Sequence, residues 1–189
     1  MGHDQSLPLL DANAMSTTAL DFAFLVEPPW IYVGSGEPER TTWNPSHFYS
    51  RPGLSVCARR LRGHKMRSTE ALMNEFGAAL QFFDGFGGNW YALEDCLGCL
   101  DEWLPADAYV LVVERAEELL QDEELSEMTS LLKVLHTTGE SWSRPVVNNG
   151  RFNRDALPFH VLMNLSDSAS SEVTIAKVAR DAGIAFRSE

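Results

Sequence analysis

A chain of 189 residues with 44% hydrophobic content is long enough to bury one sizeable core, and its length favours one domain over two. A net charge of −12 and a sequence pI near 4.8 argue against nucleic-acid binding, which gains affinity by setting Lys and Arg on phosphates. A basic partner fits better.

Residues 1–19 show no sustained period and read as a loose arm. Phe22 to Leu25 and Trp30 to Val33 are short aromatic and β-branched runs split by Glu27-Pro28-Pro29, which predicts a strand pair with a tight connection, and Gly34 to Arg51 is turn-rich linker. From Leu54 the pattern alternates strand, helix, helix, strand, helix, strand, the order that builds an α/β parallel sheet covered by helices. Leu54 to Arg60 alternates as the first of these strands. Gly63 then turns the chain toward a helix that Ser68 can cap, with Leu72, Phe76 and Leu80 recurring every four residues. Asp84 to Gly88 holds three glycines, and Asn89 is a plausible N-cap for a second helix running to about Trp103. Tyr109 to Val113 is a buried-type strand, Leu125 to Thr138 an amphipathic helix, and Phe159 to Leu165 a last strand. The domain so delimited spans 54–165. In the tail, 166–189, Ser166 to Ser171 reads as a flexible link to a short helix, Val173 to Ala182.

At about 100° per residue, Leu93, Leu97, Leu100 and Leu104 share the core face of the second helix. Tyr91, Asp95, Gly98 and Glu102 fall on the opposite side and form one outward ridge, either a solvated face or a docking face. Thirteen acids lie between Asp84 and Glu127 against one base, Arg115, while a basic run from Arg59 to Arg67 lies just upstream. The expectation is a molecule polarised in charge, with both runs on its surface.

The segment Phe86-Gly87-Gly88-Asn89-Trp90-Tyr91-Ala92-Leu93-Glu94-Asp95-Cys96-Leu97 resembles the signature of the barstar family. Arg62-Gly63 with Met66-Arg67-Ser68, Trp103-Leu104-Pro105 with Tyr109 to Val112, and Pro158 to Leu162 are similar to the flanking family elements. The resemblance implies a three-stranded parallel sheet packed by helices, to which the N-terminal strand pair would be added. It further implies an inhibitor that plugs the basic cleft of a ribonuclease, or of a ribonuclease toxin, with an acidic helix. Asp95 would be the anchor that imitates substrate phosphate, and Tyr91, Glu94, Gly87, Gly88, Asn89, Gly98 and Glu102 would complete the partner-binding surface. The alternative is a barstar-fold module that binds a different, non-nuclease protein. Three departures favour a changed target: Tyr91 stands where the family usually has a second aspartate, Glu94 where the prototype has an aromatic, and Gly85 where the binding loop has an aromatic.

No cofactor, metal or catalytic residue is expected. Cys96-Leu-Gly-Cys99 is formally a CxxC pair, but it sits within a helix beside Glu94, Asp95 and Asp101, which would raise thiol pKa values rather than lower them. Zinc would need further ligands than Cys57 and scattered histidines. A convex ridge does not exclude water, so Asn89, Asp95 and Glu102 make no acid–base site. Thr174 to Ile184 looks like the opening of a LacI-type helix-turn-helix, but only five residues follow, too few for a recognition helix. Three cysteines are too few and odd in number for a secreted disulfide framework. No apolar run reaches the ~20 residues of a membrane span and residues 1–10 lack the features of a signal peptide, so a cytoplasmic protein without membrane contact is expected. Oligomeric state is not legible.

Overall fold

The computed structural model describes residues 21–35, 43–48, 53–147, 153–166 and 169–188. The arm expected over 1–19 and most of the linker lie outside these residues. Among the described residues the fold is α/β, as expected, with five strands: β1 (Ile31–Ser35), β2 (Val56–Arg62), β3 (Ala108–Glu114), β4 (Phe159–Leu165) and β5 (Phe186–Ser188). All pair in parallel, in the spatial order β2-β3-β4-β1-β5. Four α-helices accompany them among the described residues: α1 (Thr69–Leu80), α2 (Trp90–Gly98), α3 (Leu125–Trp142) and α4 (Ala169–Asp181).

The three expected strands, β2, β3 and β4, are therefore joined by two more. β1 aligns with β4 in the register Ile31 to Val161, and β5 aligns with β1 as Ile31 to Phe186. The added N-terminal element differs from the expected strand pair. Asp21–Phe24 is a turn of 3-10 helix closed by Leu25 N donating to Phe22 O at 3.1 Å. β1 has β4 on one edge and β5 on the other, so no edge is left for the run before Pro28 to pair with. Its aromatics pack instead, Phe22 on Tyr32 with ring centroids 4.1 Å apart and Phe24 near Phe48 at 6.3 Å.

The two faces of the sheet are covered differently. Tyr109, Leu111, Val113, Phe159, Val161 and Met163 point into the large core shared with the helices. Val110, Val112, Leu162 and Tyr32 alternate onto the other face, beneath Trp43 and Phe48. Handedness explains the division. The connections from β2 to β3, β3 to β4 and β4 to β5 all step one way across the sheet, and right-handed crossovers place their helices on one face. The connection from β1 to β2 steps the other way, which puts the 3-10 turn Pro45–Phe48 on the opposite side. The sequence resembling a helix-turn-helix is thus the crossover helix α4, with Ile175, Val178 and Ala179 buried, leading straight into β5.

Local signals set the helix starts. The Ser68 hydroxyl accepts from Ala71 N at 3.3 Å and the Asn89 side chain from Ala92 N at 3.0 Å, so both expected N-caps are in place. Leu72, Phe76 and Leu80 are buried. Glu75, only 7% exposed, is met by Arg62 through Nε at 2.8 Å and Nη2 at 2.7 Å, with Arg62 N donating at 3.0 Å. The guanidinium hydrogen bonds hold the Glu75 carboxyl below its ordinary range against the opposing effect of burial.

Candidate functional site

Helix α2 is fixed from behind and open in front. Leu93, Leu97 and Leu100 are fully buried and Leu104 is half-buried, while Trp142 Nε1 donates to Leu97 O at 2.8 Å. The loop leading in relies on Gly88, whose φ of +59° suits glycine, and on Asn89 Nδ2 donating to Gly87 O at 3.2 Å. Trp90 Nε1 donates to Glu127 at 2.9 Å, and Thr69 Oγ1 donates to the same oxygen at 3.2 Å, so one carboxylate ties the starts of α1, α2 and α3 together.

The helix is shorter than expected. After Gly98 the chain tightens into the 3-10 turn Leu100–Glu102, with Cys99 N bonding Cys96 O and Glu102 N bonding Cys99 O. Glycine's low helix propensity and the anchoring of Trp103, whose Nε1 donates to Leu80 O at 2.9 Å, account for the break. Tyr91 is 83% exposed, and Asp95, Glu102, Gly87, Gly88 and Asn89 are exposed; Glu94 and Gly98 are half-buried. The structure brings Asp95, Glu102 and Gly87 together around a groove of about 490 Å³, whose remaining walls are Phe83, Gly85, Ala92, Cys96, Cys99 and Trp103. Tyr91, Glu94, Gly88 and Asn89 lie outside the groove. Gly98 and Glu102 line a second, smaller hollow of about 200 Å³ with Asp101, Val146 and Arg154.

Phe83 was not singled out by sequence reasoning. It is 61% exposed, and its ring lies where a side chain on Gly85 would reach, 3.0 Å from the position of a Cβ there. The only signal was an aromatic directly before the Asp84-Gly85 turn. Cys96 and Cys99 also face the groove, as free thiols. Burial raises both, and the neighbouring carboxylates raise them further: Asp95 for Cys96, and Glu102, Asp101 and Asp95 for Cys99. Among the described residues no group of three or more His, Cys, Asp or Glu is placed to hold a metal ion.

The expected charge polarity is corrected, because the two charged runs meet. Arg60 pairs with Glu114 at 3.0 Å, and Arg67 with Asp122 at 2.7 Å and Glu118 at 3.5 Å. Glu123 accepts from Thr69 N, Glu117 from Ser166, and Asp107 from Ser55 N. Most of the acidic run is therefore structural. Among the described residues the carboxylates of Asp95 and Glu102 have no such partner.

A family profile described as Barstar (barnase inhibitor) matches residues 56–164, more than half of the chain. The chain belongs to the barstar family. No curated protein matches it. Among solved structures, it is similar to the ORC2 protein of Aeropyrum pernix in its ADPNP–ADP complexes, with a TM-score of 0.55 and 10% identity over 98% of this chain and 50% of that one. The barstar-family chain thus spans about half the length of that structure, and the likeness carries the fold alone. The expected inhibition of a ribonuclease is corrected to the domain alone: the profile match shows a barstar domain, the structural likeness reported is to an ORC2 protein and not to a ribonuclease inhibitor, and neither finding carries nuclease inhibition. Tyr91, Glu94 and Gly85 are the three departures from the surface that the resemblance implied. No helix among the described residues is long and apolar enough to cross a membrane.

Proposed function

We propose that this barstar-family chain is a binding module without catalytic activity, acting in the cytoplasm, that docks a non-nuclease protein with a basic surface on α2 and the loop before it. The carrying observation is the pair of exposed aromatics, Phe83 at 61% and Tyr91 at 83%, beside the unpaired carboxylate of Asp95 on a helix whose back is fully buried. Exposed aromatics on a rigid element bury much area at small entropic cost, which is how binding hot spots are built. Thiols held above their ordinary pKa by burial and by neighbouring carboxylates support binding over thiol chemistry. Nucleotide binding, which belongs to the ORC2 protein in its ADPNP–ADP complexes, is not proposed for this chain. The sequence contains no Gly-x4-Gly-Lys-Ser/Thr phosphate loop.

The test is capture of the partner by the tagged full-length chain from its native source, followed by kinetics with the purified partner. Tyr91→Ala and Asp95→Ala should each weaken the complex by about thirtyfold or more, the cost of removing a hot spot. Glu124→Ala, an exposed acid away from the ridge, should leave it within about twofold. A complex that all three variants form equally well would remove α2 as the docking face.

A further inference from the structure

We infer that the hollow between the turn after β3, the start of α3 and α4 binds a small organic amine, its apolar body on a leucine and methionine floor and its ammonium group among the carboxylates of the rim. This site shares no residue with the groove beside α2 and does not rest on the docking reading. It holds about 320 Å³, at the lower end of the ~300–1,000 Å³ typical of clefts that enclose a small ligand. Open parallel sheets take ligands outside the carboxyl ends of their strands, where the connections diverge. The 3-10 turn Ala116–Glu118 follows the carboxyl end of β3, and Glu117 accepts from Ser166 N, just past the end of β4, at 3.2 Å. The chain leaves β4 for β5 on one face and the adjacent β1 for β2 on the other, so the hollow lies beside that point of divergence. Helix α4, which supplies Thr174 and Ile175, lies beyond the residues that the family profile matches. The site is therefore completed by this chain's extension.

The lining selects the charge. Leu119, Leu120, Met128 and Ile175 are buried and make the floor, and Leu125, 52% exposed, stands at the mouth. Leu120 takes a φ of +52°, which a leucine rarely adopts, and its N–H donates to Met66 O at 2.8 Å, so the turn is held where this side chain completes the floor. The charged groups on the rim are Glu117, Glu123 and Glu124; among the described residues that line the hollow, none is Lys, Arg or His. The arginines that reach these turns are engaged, Arg67 by Asp122 and Gln121, and Arg115 by Glu118. A carboxylate or phosphate would meet three acids with no cation to offset them, and a neutral molecule would cover them without pairing them. An ammonium group supplies the missing charge with three donors, while its apolar body covers the floor. A protein side chain fits less well: Phe83 and Tyr91, the exposed aromatics that would bury a partner's surface, do not line this hollow.

The test titrates the isotopically labelled full-length protein with phenethylamine, and in separate arms with phenethyl alcohol, phenylacetate and methylamine, which in turn remove the charge, reverse it and remove the apolar body. Saturable NMR shifts confined to Ala116, Leu119, Leu120, Met128 and Ile175 are expected for phenethylamine, with binding about fivefold weaker or more in each other arm. Glu124→Gln, at an exposed side chain, should weaken phenethylamine by about two- to fivefold, the range of a solvent-facing ion pair, with the spectrum otherwise unchanged as proof of folding. Leu125→Lys, which sets a cation at the mouth, should abolish the shifts. Equal binding in any of the three other arms, no saturable shift with phenethylamine, or an unchanged affinity in either variant would overturn the proposal. Tighter binding of N-acetyl-lysine amide than of phenethylamine would overturn it too, by assigning the hollow to a side chain of a protein.

Discussion

Glu127 lies in the acidic run, yet its carboxylate is a joint rather than a surface charge. Oε2 accepts from Trp90 Nε1 at 2.9 Å and from Thr69 Oγ1 at 3.2 Å, and the residue sits in the first turn of α3. A hydrogen bond to a charged group contributes about 1.5–3 kcal/mol, and an acid in a first turn contributes about 0.3–1 kcal/mol through the helix dipole. All three residues are only half-buried, so the lower ends apply. Glu127→Ala should cost about 3 kcal/mol, and Glu127→Gln, which keeps an acceptor, about half as much. Urea unfolding followed by circular dichroism would read this as a lower midpoint at unchanged slope. Amide exchange should quicken at Ala92 and Leu93, at the start of α2, before it does in β3. Glu124→Ala, three residues earlier and exposed, should stay within about 0.5 kcal/mol of wild type. Equal stability of the Glu127→Ala and Glu124→Ala proteins would refute the idea that this carboxylate holds the docking helix in place.

Gly139 in α3 lies against Trp30, so a methyl there would sit 2.6 Å from Cδ2 of the indole and 2.7 Å from its Cβ. Gly139→Ala should therefore destabilise by about 1–2 kcal/mol, overpacking outweighing the ~1 kcal/mol gain in helix propensity; a more stable variant in thermal unfolding would contradict the contact. His160 is fully buried with Nε2 2.8 Å from Leu25 O, and burial lowers its pKa. The unfolded chain then takes up this proton at higher pH than the folded one, so stability is complete above about pH 6.5 and declines as the pH falls from there, levelling off below the folded pKa. His160→Gln should flatten the stability profile between about pH 6.5 and 5, and an unchanged slope would show that the imidazole is not the group responsible.

The parallel sheet was legible because its inner strands are continuous apolar runs, Tyr109 to Val113 and Phe159 to Leu165, which suit strands covered on both faces. Ser68 and Asn89 were legible as caps because capping is decided within four residues. What escaped was non-local. β5 is three residues, Phe186–Ser188, with no room to show a period, and it forms because α4 delivers it beside β1. The Arg60 to Glu114 and Arg67 to Asp122 pairs span some 54 and 55 positions, so a one-dimensional reading set the two charged runs apart when the fold lays one against the other. In the candidate site, Tyr91, Asp95 and Glu102 were readable from helical spacing. Phe83 and Trp103 were not, because a groove belongs to two segments at once.

The sorting of acids bears directly on what α2 does. A chain that needed negative charge only for solubility could scatter it over any exposed position. Here Glu114, Glu118 and Asp122 face arginines, Glu123 and Glu127 hold the starts of α1 and α2, and Glu117 meets Ser166 at the end of β4. Asp95 and Glu102 do none of this, and they stand where two aromatics are also left open to water. Each feature alone is ordinary on a protein surface: single exposed aromatics are common, and so are solvated carboxylates. Their coincidence over α2, the loop before it and the turn after it, with the opposite side of that helix locked by Leu93, Leu97 and Trp142, is what a solvated face does not require and a docking face does.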